Sequence, residues 1–166
     1  MTGTPLTTIE ISKDYLHFNA AHFTIFSATE REDLHGHTFY VRAFITSPVD
    51  DNGLAFDYNI VKERLLALCD ELDEKVLLPE RSPHLELAKE GDYLVARYGS
   101  EKLPFLPRDV HTLPVRNITV EELAPWFVDR LAADAGLRAQ RIFSLELQVS
   151  SGPGQWAAAR RDFVAP

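Results

Sequence analysis

Three imidazoles in one short stretch of sequence pose the first chemical question. His35 and His37 flank a single glycine in Leu34-His-Gly-His37. If they open a strand, both rings project from the same side. That side continues through Phe39, Val41, Ala43 and Ile45, an apolar face on which two polar rings need a partner. His22 ends the matching face of the preceding strand, after Phe18 and Ala20. A shared metal ion accepts a lone pair from each ring, and three converging histidines are the ligand set of catalytic zinc, with a fourth position open. Taken singly, each histidine reads as well as an ordinary core or surface residue. Together, the spacing points to a metal held by His22, His35 and His37.

The rest of the composition narrows the choice of ligands. Cys69 is the sole cysteine, so a metal site must draw on histidines and carboxylates. Cys69 itself falls near the apolar stripe of a helix and reads as a packing residue. A net charge of -8 gives no basic surplus for phosphates or an anionic bilayer, so nucleic acid and membrane are not expected partners. No segment approaches the ~18 uninterrupted apolar residues of a membrane span, and the N-terminal stretch lacks a leader-like pattern, so we expect a cytoplasmic protein.

The elements that must position these residues follow from periodicity. Residues 6–20 read as one strand and 36–47 as a second. The Asp-Asp-Asn-Gly run at 50–53 reads as a turn, followed by a short third strand at 54–56. Val61, Leu65, Leu68 and Leu72 form the stripe of an amphipathic helix running from Asn59 to about Lys75. Tyr93 to Tyr98 and Glu101 to Phe105 predict a hairpin within an excursion at about 84–116. A second helix has Thr119 as its cap, Glu122 completing a capping box, Ile118 stapled onto Leu123, and Gly136 at its end. A last strand covers 141–150 and leads into a turn at 151–154. The chain, 166 residues with 45% hydrophobic side chains, therefore predicts one α+β domain over 1–166, with a mainly antiparallel sheet and two helices on one face.

The motif residues resemble the 6-pyruvoyl tetrahydropterin synthase and 6-carboxytetrahydropterin synthase family. The likeness runs through Phe18-Asn-Ala-Ala-His22, Leu34-His-Gly-His37, Phe56-Asp57, Glu71 to Pro79, Asn117 to Glu121 and Pro153-Gly-Gln155. It implies the tunnelling fold, assembled as a homohexamer made of two trimers. It also implies zinc on the three histidines and a lyase reaction on the side chain of a dihydropterin, such as dihydroneopterin or its triphosphate. Glu32, three residues before His35, matches the Glu-x-x-His-Gly-His branch, and the resemblance makes it the general base. Asp73 matches a residue that supports catalysis. Thr119 and Glu121 match a segment that seats the pterin, and Ser151 stands at the pterin-anchoring position.

The chain also departs from that pattern. Arg31 stands where most members carry a proton-abstracting cysteine, Glu74 where they carry a histidine, and Ser151 where they carry a glutamate. A neutral hydroxyl cannot make the charge-assisted bidentate contact of a carboxylate. His84 and His111 could fill the vacated histidine role, although neither falls on a family motif. A zinc-binding paralogue with another substrate, or with a non-catalytic ligand-binding role, is the alternative reading. Glu32 also reads as a solvated loop acid, and the capping role alone would account for Thr119.

Overall fold

A computed structural model describes residues 5–163, so the first four and last three residues of the expected 1–166 domain lie outside the described residues. The chain runs as β1 (Leu6–Ile11), β2 (His17–His22), β3 (His35–Pro48), α1 (Tyr58–Leu72), β4 (Lys75–Pro79), β5 (Glu86–Glu90), β6 (Tyr93–Tyr98), β7 (Glu101–Phe105), β8 (Val110–Leu113), α2 (Val120–Ala132), α3 (Ala135–Arg138), β9 (Ser144–Ser150) and β10 (Ala157–Asp162). This is an α+β architecture with two sheets. The larger has the order β10-β9-β3-β2-β4-β8, with β1 also paired to β3, and the smaller has the order β5-β6-β7.

The first expected strand is two strands laid end to end along β3. Ile11 pairs with Ala43 and His17 with Tyr40, so residues 12–16 loop out opposite only Val41 and Arg42. The interruption leaves Leu16 buried and keeps Phe18, Ala20 and His22 in phase with the core face of β3. Phe39, Val41, Ala43 and Ile45 on β3 and Leu145, Leu147 and Val149 on β9 complete that face. The helices cover it with Val61, Leu65 and Leu72 of α1 and Leu123, Phe127 and Leu131 of α2, all in one apolar cluster. Phe18 stacks on Phe39 at 5.0 Å between ring centroids and tilts against Phe127 at 6.0 Å, joining sheet to helix beside the histidines.

Several expectations need correction. Residues 54–56 form no strand; Asp50 instead closes the turn by accepting from the Asn52 and Leu54 amides. α1 stops at Leu72, and the chain returns at once as β4, which pairs parallel with β2 and with β8. The sheet is therefore mixed, with two parallel pairs that are non-local in sequence. Thr119 is the N-cap of α2, but its hydroxyl makes no capping bond. Glu122 turns away from the helix start and accepts from the Arg116 amide and guanidinium. α2 ends at Ala132, and Gly136 lies inside the single turn of α3, which Asp134 caps by accepting from the Leu137 amide. The expected final strand begins at Ser144, and β10 follows it as an additional edge.

The hairpin forms as expected, its turn carried by Gly99 at φ 56°, a left-handed value that suits glycine. With β5 it makes the smaller sheet, packed through Leu87, Leu94, Ala96 and Tyr98 onto Phe23, Ile25 and Leu78. The excursion thus supports the loop between β2 and β3, which carries Glu32. Cys69 is fully buried in α1, and burial together with Asp70 and Asp73 pushes its thiol up to about 12, so it packs as an inert apolar group.

Candidate metal centre and adjoining cavity

Pairing between β2 and β3 brings the histidines together. His22 lies directly opposite His35, and Ala20 opposite His37, so the three rings share one end of the sheet's core face. Their candidate ligand nitrogens all lie within 4.8 Å of one another, and the Nε2 atoms of His35 and His37 are 3.0 Å apart. The His22 and His35 ring centroids are 4.8 Å apart and those of His22 and His37 5.3 Å, with tilted planes that fit convergence on a point rather than stacking.

Tautomers follow from the outer hydrogen bonds. Nδ1 of His22 donates to the Ile118 carbonyl at 2.8 Å, and Nδ1 of His35 donates to the Asp33 carbonyl at 2.7 Å. Each Nε2 is then left as a lone-pair donor, the outer arrangement common for metal-bound imidazoles. Nε2 of His22 is buried and has no hydrogen-bond partner. An orphaned polar atom of this kind costs about 1–3 kcal/mol in water-free surroundings. A cation removes that cost, and burial also lowers the His22 pKa, against the pull of the Ile118 carbonyl, keeping the ring neutral and able to ligate. A tetrahedral zinc at its usual bond lengths sets ligand nitrogens about 3.3–3.4 Å apart, close to the His35–His37 spacing. The residues therefore fit a metal ion.

Glu32 stands beside this cluster. Its Oε2 accepts from the Thr24 amide at 2.9 Å and lies 4.0 Å from Nε2 of His35. Burial pushes its pKa up, but hydrogen bonding from Thr24 and the nearby His35 and His22 outweigh that and lower it, so the carboxylate is ionised near neutrality. A cavity of about 330 Å³ joins these groups, lined by the three histidines, Thr24, Glu32, Phe39, Thr119, Val120, Glu121, Ser151 and Gln155. That is within the range of small-molecule sites. Four of the five proposed non-metal residues thus meet at one opening. The fifth, Asp73, lies outside it and accepts from the Asn19 amide at 2.7 Å and the Asn19 side chain at 3.3 Å.

Glu74 follows in a left-handed conformation, φ 57°, and lines a separate groove with Asn19, Thr38 and Lys75. His84 is exposed, and His111 lies 3.2 Å from Glu71, so neither occupies the cavity. Thr24, Val120 and Gln155 are lining residues that spacing did not single out. Thr24 had no signal, because its contribution is a main-chain amide. Gln155 belongs to the Pro-Gly-Gln run and could have been found from it.

An α+β sheet with three strand-borne histidines at its end, beside a carboxylate and a small cavity, defines a candidate metal site that opens on a small-molecule pocket. Comparison with known proteins makes this specific. Residues 10–162 match the family model for 6-pyruvoyl tetrahydropterin synthase, and the chain belongs to that family. A Methanocaldococcus jannaschii protein, named provisionally as a 6-carboxy-5,6,7,8-tetrahydropterin synthase, is 29% identical over 88% of this chain and 90% of its own length. A Pyrococcus abyssi protein of the same name is 30% identical over 84% of this chain and 83% of its own. The crystal structure of 6-pyruvoyl tetrahydropterin synthase from Plasmodium vivax superposes with a TM-score of 0.89 at 26% identity, covering 96% of this chain and 99% of that one. A second structure of the Plasmodium vivax enzyme, in which a glutamate described as catalytic is replaced by alanine, gives a TM-score of 0.90 at 25% identity over the same shares. The fold is the tunnelling fold of this family. No described helix is long and apolar enough to cross a membrane.

Proposed function

We propose that the protein is a zinc-dependent lyase acting on the side chain of a dihydropterin, with dihydroneopterin or its triphosphate as substrate. The observation that carries this reading is the Glu32 carboxylate 4.0 Å from a member of the histidine cluster, in the same cavity as the orphaned Nε2 of His22. Bound zinc would supply Lewis-acid polarisation of a side-chain hydroxyl or carbonyl. His22, His35 and His37 are the residues that would hold it. Glu32, ionised and fixed by the Thr24 amide, accepts the proton of a side-chain hydroxyl. The electrons of that O–H bond form a carbonyl as the adjoining carbon–carbon bond breaks, and the released pair passes into the conjugated C=N of the dihydropterin ring. Protonation of that fragment completes the cleavage.

The remaining lining residues bind and orient. Thr119, Glu121, Ser151 and Gln155 offer donors and acceptors to a ligand in the cavity. The catalytic glutamate named for the Plasmodium vivax enzyme supports the role given to Glu32. Asp73 acts in this reading as a support: it caps α1 and fixes Asn19 on β2, and so helps to align the strand that ends in His22. We also propose a homohexamer built from two trimers, which light scattering on the purified protein tests. Incubating zinc-loaded protein with dihydroneopterin and with its triphosphate tests the activity. Formation of a hydroxymethyl or other shortened-chain pterin is expected, and unchanged substrate in both cases would overturn it.

Ser151 supports a second reading, a zinc-binding paralogue for another ligand, because the cavity offers a hydroxyl where a charged anchor would grip the pterin ring. Tight pterin binding to the unaltered chain would remove the ground for it.

A further inference from the structure

The loop between β2 and β3 is clamped from outside by the smaller sheet, and one side chain links the clamp to Glu32. Arg31 donates from Nη1 to the main-chain carbonyl of Glu32 at 2.7 Å and from Nε to Oε2 of Glu101, on β7, at 2.9 Å. Its side chain is only 15% exposed. The guanidinium carbon sits 5.0 Å from the Phe23 ring centroid and 5.7 Å from that of Tyr98. The Tyr98 hydroxyl in turn donates to the Ser27 carbonyl at 2.7 Å. On the far side of the loop, Asn117 accepts from the Ile25 amide and donates to the Ile25 carbonyl.

We infer that Arg31 and Glu101 are a positioning pair that fixes the direction of the Glu32 carboxylate, an inference that rests on the role proposed for Glu32. Glu32 is held at both ends: its carbonyl by Arg31 and its carboxylate by the Thr24 amide. Its own amide donates to the Thr24 carbonyl at 2.9 Å, which locks the two segments in register. Among the described contacts the guanidinium meets Glu32 only at the main-chain oxygen, while its charge is matched by Glu101. Arg31 therefore orients the carboxylate without forming an ion pair with it. A planar fork suits this task, because one guanidinium can serve two acceptors at fixed angles and still lie flat on aromatic rings.

The test is a set of variants in the zinc-loaded protein, assayed on dihydroneopterin. Arg31→Ala is expected to lower kcat about 10–100-fold, the scale of a misplaced reacting group, with KM and zinc content changed less than about threefold. Glu101→Gln, altered at a half-exposed surface position, is expected to act in the same direction by about 3–10-fold. In a Glu32→Gln background, Arg31→Ala should change the residual kcat less than about twofold, since a positioning residue has nothing left to position. Multiplying losses in the double variant would overturn the inference. Crystal structures give a readout that does not depend on turnover. Displacement of the Glu32 carboxylate from the Thr24 amide in the Arg31→Ala protein supports the pair. A carboxylate still bonded to Thr24 in that variant overturns the inference, whether or not dihydroneopterin is cleaved.

Discussion

Replacing Glu32 with glutamine isolates proton transfer from everything else that residue does. Glutamine has the same length and keeps a carbonyl oxygen able to accept from the Thr24 amide, now 2.9 Å from Oε2, so the loop keeps its register. Arg31 still bonds the main-chain carbonyl, and the histidine cluster loses no nitrogen ligand. The variant lacks only a group that can take a proton near neutrality. A positioned general base contributes about 10²–10⁴-fold, equivalent to ~3–5 kcal/mol of barrier, and kcat is expected to fall by that factor. KM should move less than about threefold, because the cavity walls at Thr119, Glu121, Ser151 and Gln155 are untouched. Product formation followed by chromatography gives kcat and KM, and a thermal melt checks that the fold is intact. A variant that retains a third or more of wild-type kcat would refute the assignment of Glu32 as the base.

Other outcomes follow from the same geometry. Chelation should lower the melting temperature by about 8–16 °C if zinc is present at ~1,000 times its Kd, from ~4 kcal/mol of linked stability and ~2–4 °C per kcal/mol for a chain of this size. The His22→Ala melt should not respond to chelator, and an equal response would count against a metal on His22. Ser151→Glu should tighten dihydropterin binding roughly tenfold by turning a neutral contact into a charge-assisted one, measurable by calorimetry. Unchanged affinity would show that Ser151 does not face the ring. Glu71 is forked to Arg130 at 3.0 and 2.8 Å, which, with His111 and against burial, lowers its pKa. Its stabilising effect is therefore present above the ordinary carboxylate value of 4.5 and lost as pH falls through the lowered folded-state value. Glu71→Gln should cost about 0.5–1 kcal/mol in urea melts at pH 7, and the difference should shrink below about pH 4.5. A difference that grows in acid would contradict that sign.

What could be read in the sequence was local. The alternation from His37 to Ile45 sets the core face of β3, and Phe18, Ala20 and His22 align on β2 because strand pairing preserves phase. The turn at Gly99 and the stripe of α1 are equally local signals. β4 and β8 could not be read in this way. Each is a run of at most five residues whose parallel pairing depends on segments more than 30 positions away in the case of β8 and more than 50 in that of β4. The capping box failed because Arg116, a neighbour in space, offers Glu122 a charged donor that outcompetes a helix amide. β10 went unseen because Ala157–Asp162, mostly exposed, carries no alternation of apolar and polar residues. At the cavity, the histidines, Glu32, Thr119, Glu121 and Ser151 came from motif positions, whereas the main-chain amide of Thr24 leaves no trace in residue identity.

Three rings on two neighbouring strands are placed to hold one metal ion. Elemental analysis of the purified protein, beside His22→Ala, His35→Ala and His37→Ala variants, tests it most directly. About one zinc per chain in the parent and a near-complete loss in each folded variant is the result expected. A parent protein that carries no transition metal even after incubation with zinc, or variants that keep it, would show that these histidines are not metal ligands.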